Sequence, residues 1–161
     1  MADSVRSGMT QIDDRGLIVS CPSCQQRNRV PFGHETAESA KCKKCGTLLP
    51  ATAEPVEVPN EAIFDALVAA SKLPVVVDFW APWCGPCRMV APELARVAAN
   101  NAGRYLVVKV NTDAVPELGD RFGIRSIPTM AVFAEGRESG RTSGARPAAD
   151  IESFIAQSVA R

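Results

Sequence analysis

Six cysteines are the residues whose type and spacing point to chemistry in this chain of 161 residues. All of them stand in C-x-x-C pairs, at Cys21/Cys24, Cys42/Cys45 and Cys84/Cys87. In a reducing compartment such pairs bind a metal or perform redox chemistry more often than they form structural disulfides. No apolar core follows the charges of the first residues, so the sequence predicts no secretory signal and a cytoplasmic protein.

The first two pairs have the spacing of a zinc site. They are separated by 17 residues, which fits the C-x2-C-x15–20-C-x2-C pattern. Four thiolates around one structural Zn²⁺ would stabilise a segment too small for a sufficient apolar core. Two redox-active dithiols remain an alternative. His34 is an alternative ligand, although we expect it at the surface because the four cysteines complete the shell.

The basic side chains near these pairs raise the question of nucleic-acid binding. A zinc ion with four thiolates carries a net charge of −2, which nearby lysines and arginines offset. Phe32 stands alone, without the aromatic interleaving that base stacking requires. We therefore predict a zinc-binding segment that does not bind nucleic acid.

The third pair lies in Trp83-Cys84-Gly85-Pro86-Cys87, between a strand pattern and a helix pattern. A thiol at a helix N-terminus meets free N–H groups and the positive end of the helix dipole, which stabilise the thiolate. We expect Cys84 to be the more exposed, attacking sulfur. Cys87, one turn further, can close a ring with it, and Pro86 limits the freedom of the backbone between them. A metal knuckle or two inert core cysteines are the alternatives.

Alternating strand and helix patterns must position this pair. Apolar spacing and capping residues predict four helices: one that starts after Asn60, two over 87–101 and 115–122, and one that starts at Pro147. The last of these helices is expected to bury Ile151, Phe154, Ile155 and Val159. Strands are predicted over 75–80, 105–110, 129–133 and 137–143, the last two forming a hairpin. Strands joined by helices pair in parallel, so we predict an α/β fold: a mixed central sheet with helices on both faces and an antiparallel edge.

Composition divides the chain into two parts. Residues 1–50 carry seven basic and five acidic side chains, whereas the whole chain has a net charge of zero. We predict a zinc-binding domain over 1–50 with a mobile tail over 1–10, a linker with a candidate first strand over 51–58, and the α/β domain over 59–161. The apolar runs are far shorter than the roughly 20 residues of a membrane helix, and the zero net charge gives no general attraction to nucleic acid or membrane.

Over residues 55–161 the chain resembles the thioredoxin family, through Trp83-Cys84-Gly85-Pro86-Cys87. The resemblance implies a thioredoxin-like fold and thiol–disulfide exchange by Cys84 and Cys87. Asp78, six residues before Cys84, matches the family's buried proton acceptor and donor for the second cysteine, and Lys109 matches the lysine beside it. Both remain open to the alternative of a strand residue that faces solvent.

The same resemblance implies a substrate-docking surface around the cysteine pair. Ile127 and Pro128 match the family's cis-proline loop, and Pro92 matches a proline inside the active-site helix. The matched docking residues are Trp83, Gly85, Pro86, Ile127, Pro128 and Gly144. Ser126 and Ser143 depart from the family, in positions where glycine and an apolar residue are frequent, and both lie at the rim of the docking surface, where partner preference is determined.

With its four N-terminal cysteines the chain resembles the zinc-containing thioredoxin 2 subtype of bacteria. That implies a monomeric protein-disulfide reductase recycled by NADPH-dependent thioredoxin reductase, with targets of the ribonucleotide reductase, peroxiredoxin or methionine sulfoxide reductase type. No G-x-G-x-x-G or Walker pattern indicates a bound nucleotide or flavin. Two alternatives remain: a binding protein whose client surface opens when oxidation ejects zinc, and a disulfide oxidase or isomerase.

Overall fold

The computed structural model describes residues 10–34 and 40–160. The tail predicted over residues 1–10 therefore lies outside the described residues, except for Thr10. The strands are β1 (Gln11–Ile12), β2 (Gly16–Ser20), β3 (Arg27–Pro31), β4 (Val56–Glu57), β5 (Val75–Trp80), β6 (Leu106–Asn111), β7 (Thr129–Ala134) and β8 (Arg137–Ser143). The helices are α1 (Glu61–Ala70), α2 (Gly85–Asn100), α3 (Pro116–Arg121) and α4 (Ala148–Val159).

A five-stranded sheet in the order β4-β6-β5-β7-β8 forms the centre of the protein. The strands β4, β6 and β5 are parallel to one another, while β7 pairs antiparallel with β5 and with β8. Helices connect the parallel strands and a tight hairpin joins β7 to β8. This arrangement confirms the predicted mixed sheet with an antiparallel edge.

The helices begin and end close to the predicted residues. Asn60 caps α1, because its side-chain oxygen accepts a hydrogen bond of 2.9 Å from the N–H of Ile63. Helix α2 begins at Gly85, two residues before the predicted start, since Cys84 itself serves as the N-cap. In α4, Ile151 and Ile155 are fully buried as expected, whereas Phe154 and Val159 are only partly buried.

Apolar residues cover both faces of the central sheet. On one face, α2 and α4 pack on Val76 and Val107 through side chains that include Val90 and Ile151. On the other face the buried cluster contains α1 and α3. Three edge-to-face aromatic contacts join Phe64, Phe122 and Phe133 there, with ring centroids 5.3–5.5 Å apart. The core thus fixes β5 and α2, the two elements that carry the third cysteine pair.

A small antiparallel sheet, β1-β2-β3, precedes the central sheet. Buried side chains of this sheet and of the segment that follows it, such as Leu17, Val30 and Leu49, belong to the same apolar cluster as Val56 of β4. The N–H of Thr10 donates to the Glu54 carboxylate, and β1 contacts β4. The N-terminal segment therefore packs against the edge of the larger sheet at β4.

Among the residues that the structure describes, none of the helices has the length and apolar character needed to cross a membrane.

Candidate active site and candidate metal centre

The third cysteine pair occupies the N-terminus of α2 and forms a disulfide, Cys84–Cys87. The N–H of Cys87 donates to Cys84 Sγ over 3.1 Å. In the reduced protein the same N–H and the helix dipole favour a negative charge on that sulfur. Cys84 is therefore placed where a thiolate is stabilised, as the sequence predicts.

The expected difference in exposure between the two cysteines is wrong. Cys84 is 3% exposed and Cys87 is 4% exposed. Cys84 is covered by a loop that is distant in sequence. The carbonyl oxygen of Ile127 lies 3.7 Å from Cys84 Sγ, and the side chain of Ile127 packs against the cysteine pair. A substrate must therefore approach Cys84 along the surface formed by this loop.

Asp78 lies on the central strand β5 and is 1% exposed. Neither of its carboxylate oxygens has a hydrogen-bond partner among the described residues. Burial raises the pKa of Asp78 to about 7, while the positive charge of Lys109 opposes that rise and the negative charge of Glu57 adds to it. A carboxyl group with this pKa can accept and return a proton near neutral pH.

Lys109 is the registered neighbour of Asp78 in the adjacent parallel strand β6. Its Nζ atom lies 4.4 Å from the centroid of the Trp80 ring, a cation–π contact. The lysine is partly buried, so it does not simply extend into solvent. The structure thus places Lys109 beside the buried acid.

Glu57 of β4 is a charged neighbour that the sequence interpretation missed. It accepts hydrogen bonds from Trp80 Nε1 (3.1 Å) and from the N–H of Asn111 (3.1 Å). Glu57 is exposed at the surface, yet partial desolvation of its carboxylate by the surrounding protein raises the pKa of Glu57. In the sequence, Glu57 is a lone acidic residue between two valines. Its position beside Lys109 follows only from the pairing of β4 with β6.

The residues predicted to dock substrate surround the disulfide. Trp83 is 67% exposed, and its Nε1 donates to Asp113 Oδ2 over 3.0 Å, which orients the indole on the surface. The Ile127–Pro128 peptide bond is cis. Gly144 has φ +95°, a conformation that favours glycine, and its N–H donates to the Pro128 carbonyl over 2.8 Å. These contacts hold the proline loop, which lies beside Cys84, against β8.

Ser126 and Ser143, the two departures from the family pattern, take part in one hydrogen-bond chain, Ser126 through its backbone carbonyl and Ser143 through its hydroxyl. Thr129 Oγ1 donates to the carbonyl of Ser126 over 2.6 Å and lies 2.9 Å from Ser143 Oγ. Since the proton of the Thr129 hydroxyl is used, Ser143 donates to Thr129. A hydroxyl at position 143 therefore ties β8 to the proline loop, which an apolar side chain could not do.

The four remaining cysteines form a candidate metal centre. The sulfurs of Cys21, Cys24, Cys42 and Cys45 all lie within 4.8 Å of one another. The distances Cys21–Cys45 and Cys24–Cys42 are both 3.6 Å between sulfurs. Tetrahedral zinc with Zn–S bonds of about 2.3 Å requires sulfurs about 3.8 Å apart, so the cluster has the size that zinc needs.

Two turns with the same hydrogen bonds carry these sulfurs. Cys21 N–H donates to the carbonyl of Gln26, and Cys42 N–H to that of Thr47, each over 2.8 Å. The fourth residue after each first cysteine, Gln25 and Gly46, has a positive φ. Backbone N–H groups, that of Cys45 first, lower the pKa of Cys42 to about 6, whereas at Cys24 the lowering effect of the Gln26 N–H is outweighed by burial and the neighbouring sulfurs, which raise the pKa of Cys24. Such turns present thiolates to a cation, so the residues fit a metal site, whereas the exposed His34 lies outside the cluster.

Comparisons with known proteins agree with this geometry. The sequence profile of the Thioredoxin family matches residues 55–157. The chain belongs to the thioredoxin family. Thioredoxin homologues are disulfide oxidoreductases, and this chain is one of them. Its Cys84–Cys87 pair fits the active site of that family.

Named thioredoxins are similar over different lengths of the chain. "Thioredoxin C-3" of Corynebacterium nephridii is 41% identical over 143 residues, which cover 88% of this chain and 94% of that protein. The chloroplastic M-type thioredoxin of Pisum sativum is 45% identical over 100 residues, covering 62% of this chain and 58% of that protein. A mutant thioredoxin of Halobacterium salinarum has a solved structure with TM-score 0.61 and 27% identity, covering 66% and 91% of the two chains. The first alignment exceeds the profile match and so reaches into the N-terminal segment.

Proposed function

We propose that this protein is a protein-disulfide reductase of the zinc-containing thioredoxin 2 subtype. The observation that carries the proposal is the Cys84–Cys87 pair at the N-terminus of α2. The same strand-helix unit contains the buried Asp78, whose carboxylate has no hydrogen-bond partner among the residues that the structure describes. This arrangement offers a stabilised thiolate, a second sulfur one turn away and a proton carrier. Those are the three components of dithiol–disulfide exchange.

The reaction begins with both cysteines reduced. The Cys84 thiolate attacks one sulfur of a substrate disulfide, a bond forms between the two sulfurs, and the other substrate sulfur leaves with the electron pair. Cys87 then gives its proton to Asp78, and its thiolate attacks Cys84 Sγ. The second substrate sulfur leaves, and the Cys84–Cys87 disulfide remains, as in this structure. The two substrate sulfurs leave as thiolates and take up two protons: Asp78 returns the one it received from Cys87, and water supplies the one that Cys84 released when it became a thiolate. Overall the substrate gains two electrons and two protons, and the enzyme loses the same number.

Substrate docking is assigned to the surface around Cys84. Trp83, Gly85 and Pro86 form one side and the 127–128 loop forms the other, with Gly144 behind it. An extended substrate segment on this surface would bring its disulfide to Cys84. We assign Lys109 the role of moderating the charge on Asp78, because it is the registered neighbour of that residue.

The N-terminal domain, residues 1–50, is proposed to hold one structural Zn²⁺ through Cys21, Cys24, Cys42 and Cys45. Residues 51–58 connect it to the thioredoxin domain, 59–161, and supply the edge strand β4. When bound, zinc would lock the two cysteine turns together and stabilise this small domain. The domain then tunes the choice of partner or senses oxidation, since its thiolates are themselves oxidisable.

The partners proposed for this monomeric reductase are those that its resemblance to the zinc-containing thioredoxin 2 subtype implies. An NADPH-dependent thioredoxin reductase would reduce the Cys84–Cys87 disulfide after each turnover. The substrates are proteins with exposed disulfides, of the ribonucleotide reductase, peroxiredoxin or methionine sulfoxide reductase type, in the reducing environment of the cytoplasm.

Insulin reduction coupled to NADPH oxidation by thioredoxin reductase tests this proposal. We expect steady turnover by the zinc-loaded chain, no turnover by Cys84→Ser, and an unchanged zinc content in that variant. Cys24→Ser is the matched control: it should lose zinc and keep the disulfide chemistry. Turnover that persists in Cys84→Ser would contradict the assigned nucleophile, and a folded, zinc-loaded chain without turnover would favour the client-binding alternative.

A further inference from the structure

Three charged residues form a row across three neighbouring strands. Glu57 of β4 is in register with Lys109 of β6, and Lys109 is in register with Asp78 of β5. Registered residues of parallel strands direct their side chains to the same face of a sheet. The row therefore lies on the face that α2 covers, where Val76 and Val107 are buried. Its order is carboxylate, ammonium, carboxylate.

The two carboxylates of this row are held in different ways. Glu57 is fixed by the hydrogen bonds from Trp80 Nε1 and Asn111 N–H, so its charge has a defined position. Asp78 accepts no hydrogen bond from the described residues. Lys109, with its Nζ over the Trp80 ring, is the cation that stands between them.

Within this row, solvent reaches Glu57 and Lys109. Glu57 and Lys109 line an open groove of about 1050 Å³, whose other walls come from α2 and from the N-terminal strands β1 and β2. Asp78, at the inner end, is buried. Lys109 interacts with the solvated, hydrogen-bonded carboxylate of Glu57 as well as with Asp78. It therefore stabilises the ionised form of the buried Asp78 less than it would if Asp78 were its one acidic neighbour.

We propose that Glu57 is a positioning residue of the thiol–disulfide reaction, whose carboxylate competes with Asp78 for the positive charge of Lys109 and so disfavours the ionised form of Asp78. This inference rests on the proposed function and adds a residue to its proton-transfer step. An Asp78 that Lys109 held permanently ionised could not take the proton of Cys87. Glu57 thus keeps Asp78 able to bind and release a proton. It acts through Lys109 and does not touch the reacting sulfurs.

Few other groups bear on the protonation of Asp78. Among the described residues, the charges that act on Asp78 are those of Lys109 from β6 and Glu57 from β4. Helix α2 carries Cys87 and three charged residues: Arg88 donates to the Pro82 carbonyl, and Arg96 pairs with Glu93. Strand β7 places the uncharged Met130 in register with Asp78. In the oxidised protein Cys87 is bound in the disulfide and does not titrate. The oxidised, full-length chain is therefore the form in which the effect of Glu57 on Asp78 is measured cleanly.

The test is a pH titration of the Asp78 side-chain carboxyl carbon by NMR. In Glu57→Gln, which keeps an oxygen acceptor for the Trp80 N–H, the midpoint of Asp78 should move to lower pH. In Lys109→Gln it should move to higher pH. The matched control is Glu54→Gln: this carboxylate lines the same groove and pairs with Thr10 N–H, and its loss should leave the midpoint in place.

Each outcome decides between a charge effect and a merely structural role. If Glu57 only fixed the indole of Trp80, Glu57→Gln would titrate like the wild type, and the proposal would be overturned. An unchanged midpoint in Lys109→Gln would also overturn it, because no charge would then be shared. The titration needs no turnover, so it remains informative if the reductase assay fails. If that assay succeeds, the acidic limb of the pH–rate profile should move to lower pH in Glu57→Gln.

Discussion

Replacing Asp78 by asparagine should stabilise the oxidised protein, and by more at high pH than at low pH. The folded-state pKa is about 7 against an ordinary value of 3.8. Between these values the folded protein holds a proton that the unfolded chain has lost, so the stability of the wild type falls as the pH rises through this window. The linkage relation puts the cost of Asp78 at about 2 kcal/mol at pH 5 and about 4 kcal/mol at pH 8.

Urea unfolding of wild type and Asp78→Asn at these two pH values measures the effect. The stability gained by the variant should be about 2–3 kcal/mol larger at pH 8 than at pH 5. Comparing the two pH values cancels packing differences between the side chains. Asp120→Asn, at an exposed carboxylate of α3, should show no such pH-dependent gain. An equal gain for Asp78→Asn at both values would refute the conclusion that burial holds this carboxyl protonated.

Three further substitutions test the metal centre and the fold. Cys42→Ser should lose bound zinc, measured by elemental analysis, whereas Ser23→Ala in the opposite turn should keep it. Asn60→Ala removes the cap of α1 and should cost about 1 kcal/mol of unfolding free energy, and Asn60→Ser should recover most of it; equal losses in both would argue against capping. Gly140→Ala places a Cβ against the side chain of Ser158. It should lower stability by about 1–3 kcal/mol in thermal or urea unfolding, and an unchanged midpoint would show that Ser158 moves freely.

Local patterns were sufficient to predict most of the elements. The run of β-branched and aromatic residues at β5 and the Asn60 cap at α1 act within a few residues, so the sequence displays them directly. The parallel pairing of strands was also accessible from the sequence, because helical connections imply it. The order of the strands in the sheet was not predicted. The cysteine spacings indicated the metal centre and the redox-active pair for a related reason, because the two sulfurs of a ligand pair or a redox pair must lie within one turn of the chain.

What the sequence did not show depends on contacts between distant segments. The burial of Cys84 results from the Ile127 loop, which lies 43 residues away in sequence. The importance of Glu57 depends on the pairing of a two-residue edge strand with β6. The contact of the N-terminal sheet with β4 likewise has no local signal, since it is made by ordinary apolar residues such as Leu17.

The central claim is that Cys84 attacks and Cys87 resolves. The most direct measurement is to mix zinc-loaded Cys87→Ser with a disulfide-bonded peptide and to locate the covalent adduct by mass spectrometry of proteolytic fragments. The account predicts one stable mixed disulfide, on Cys84. An adduct on one of the four N-terminal cysteines instead, or no adduct from the folded variant, would contradict it.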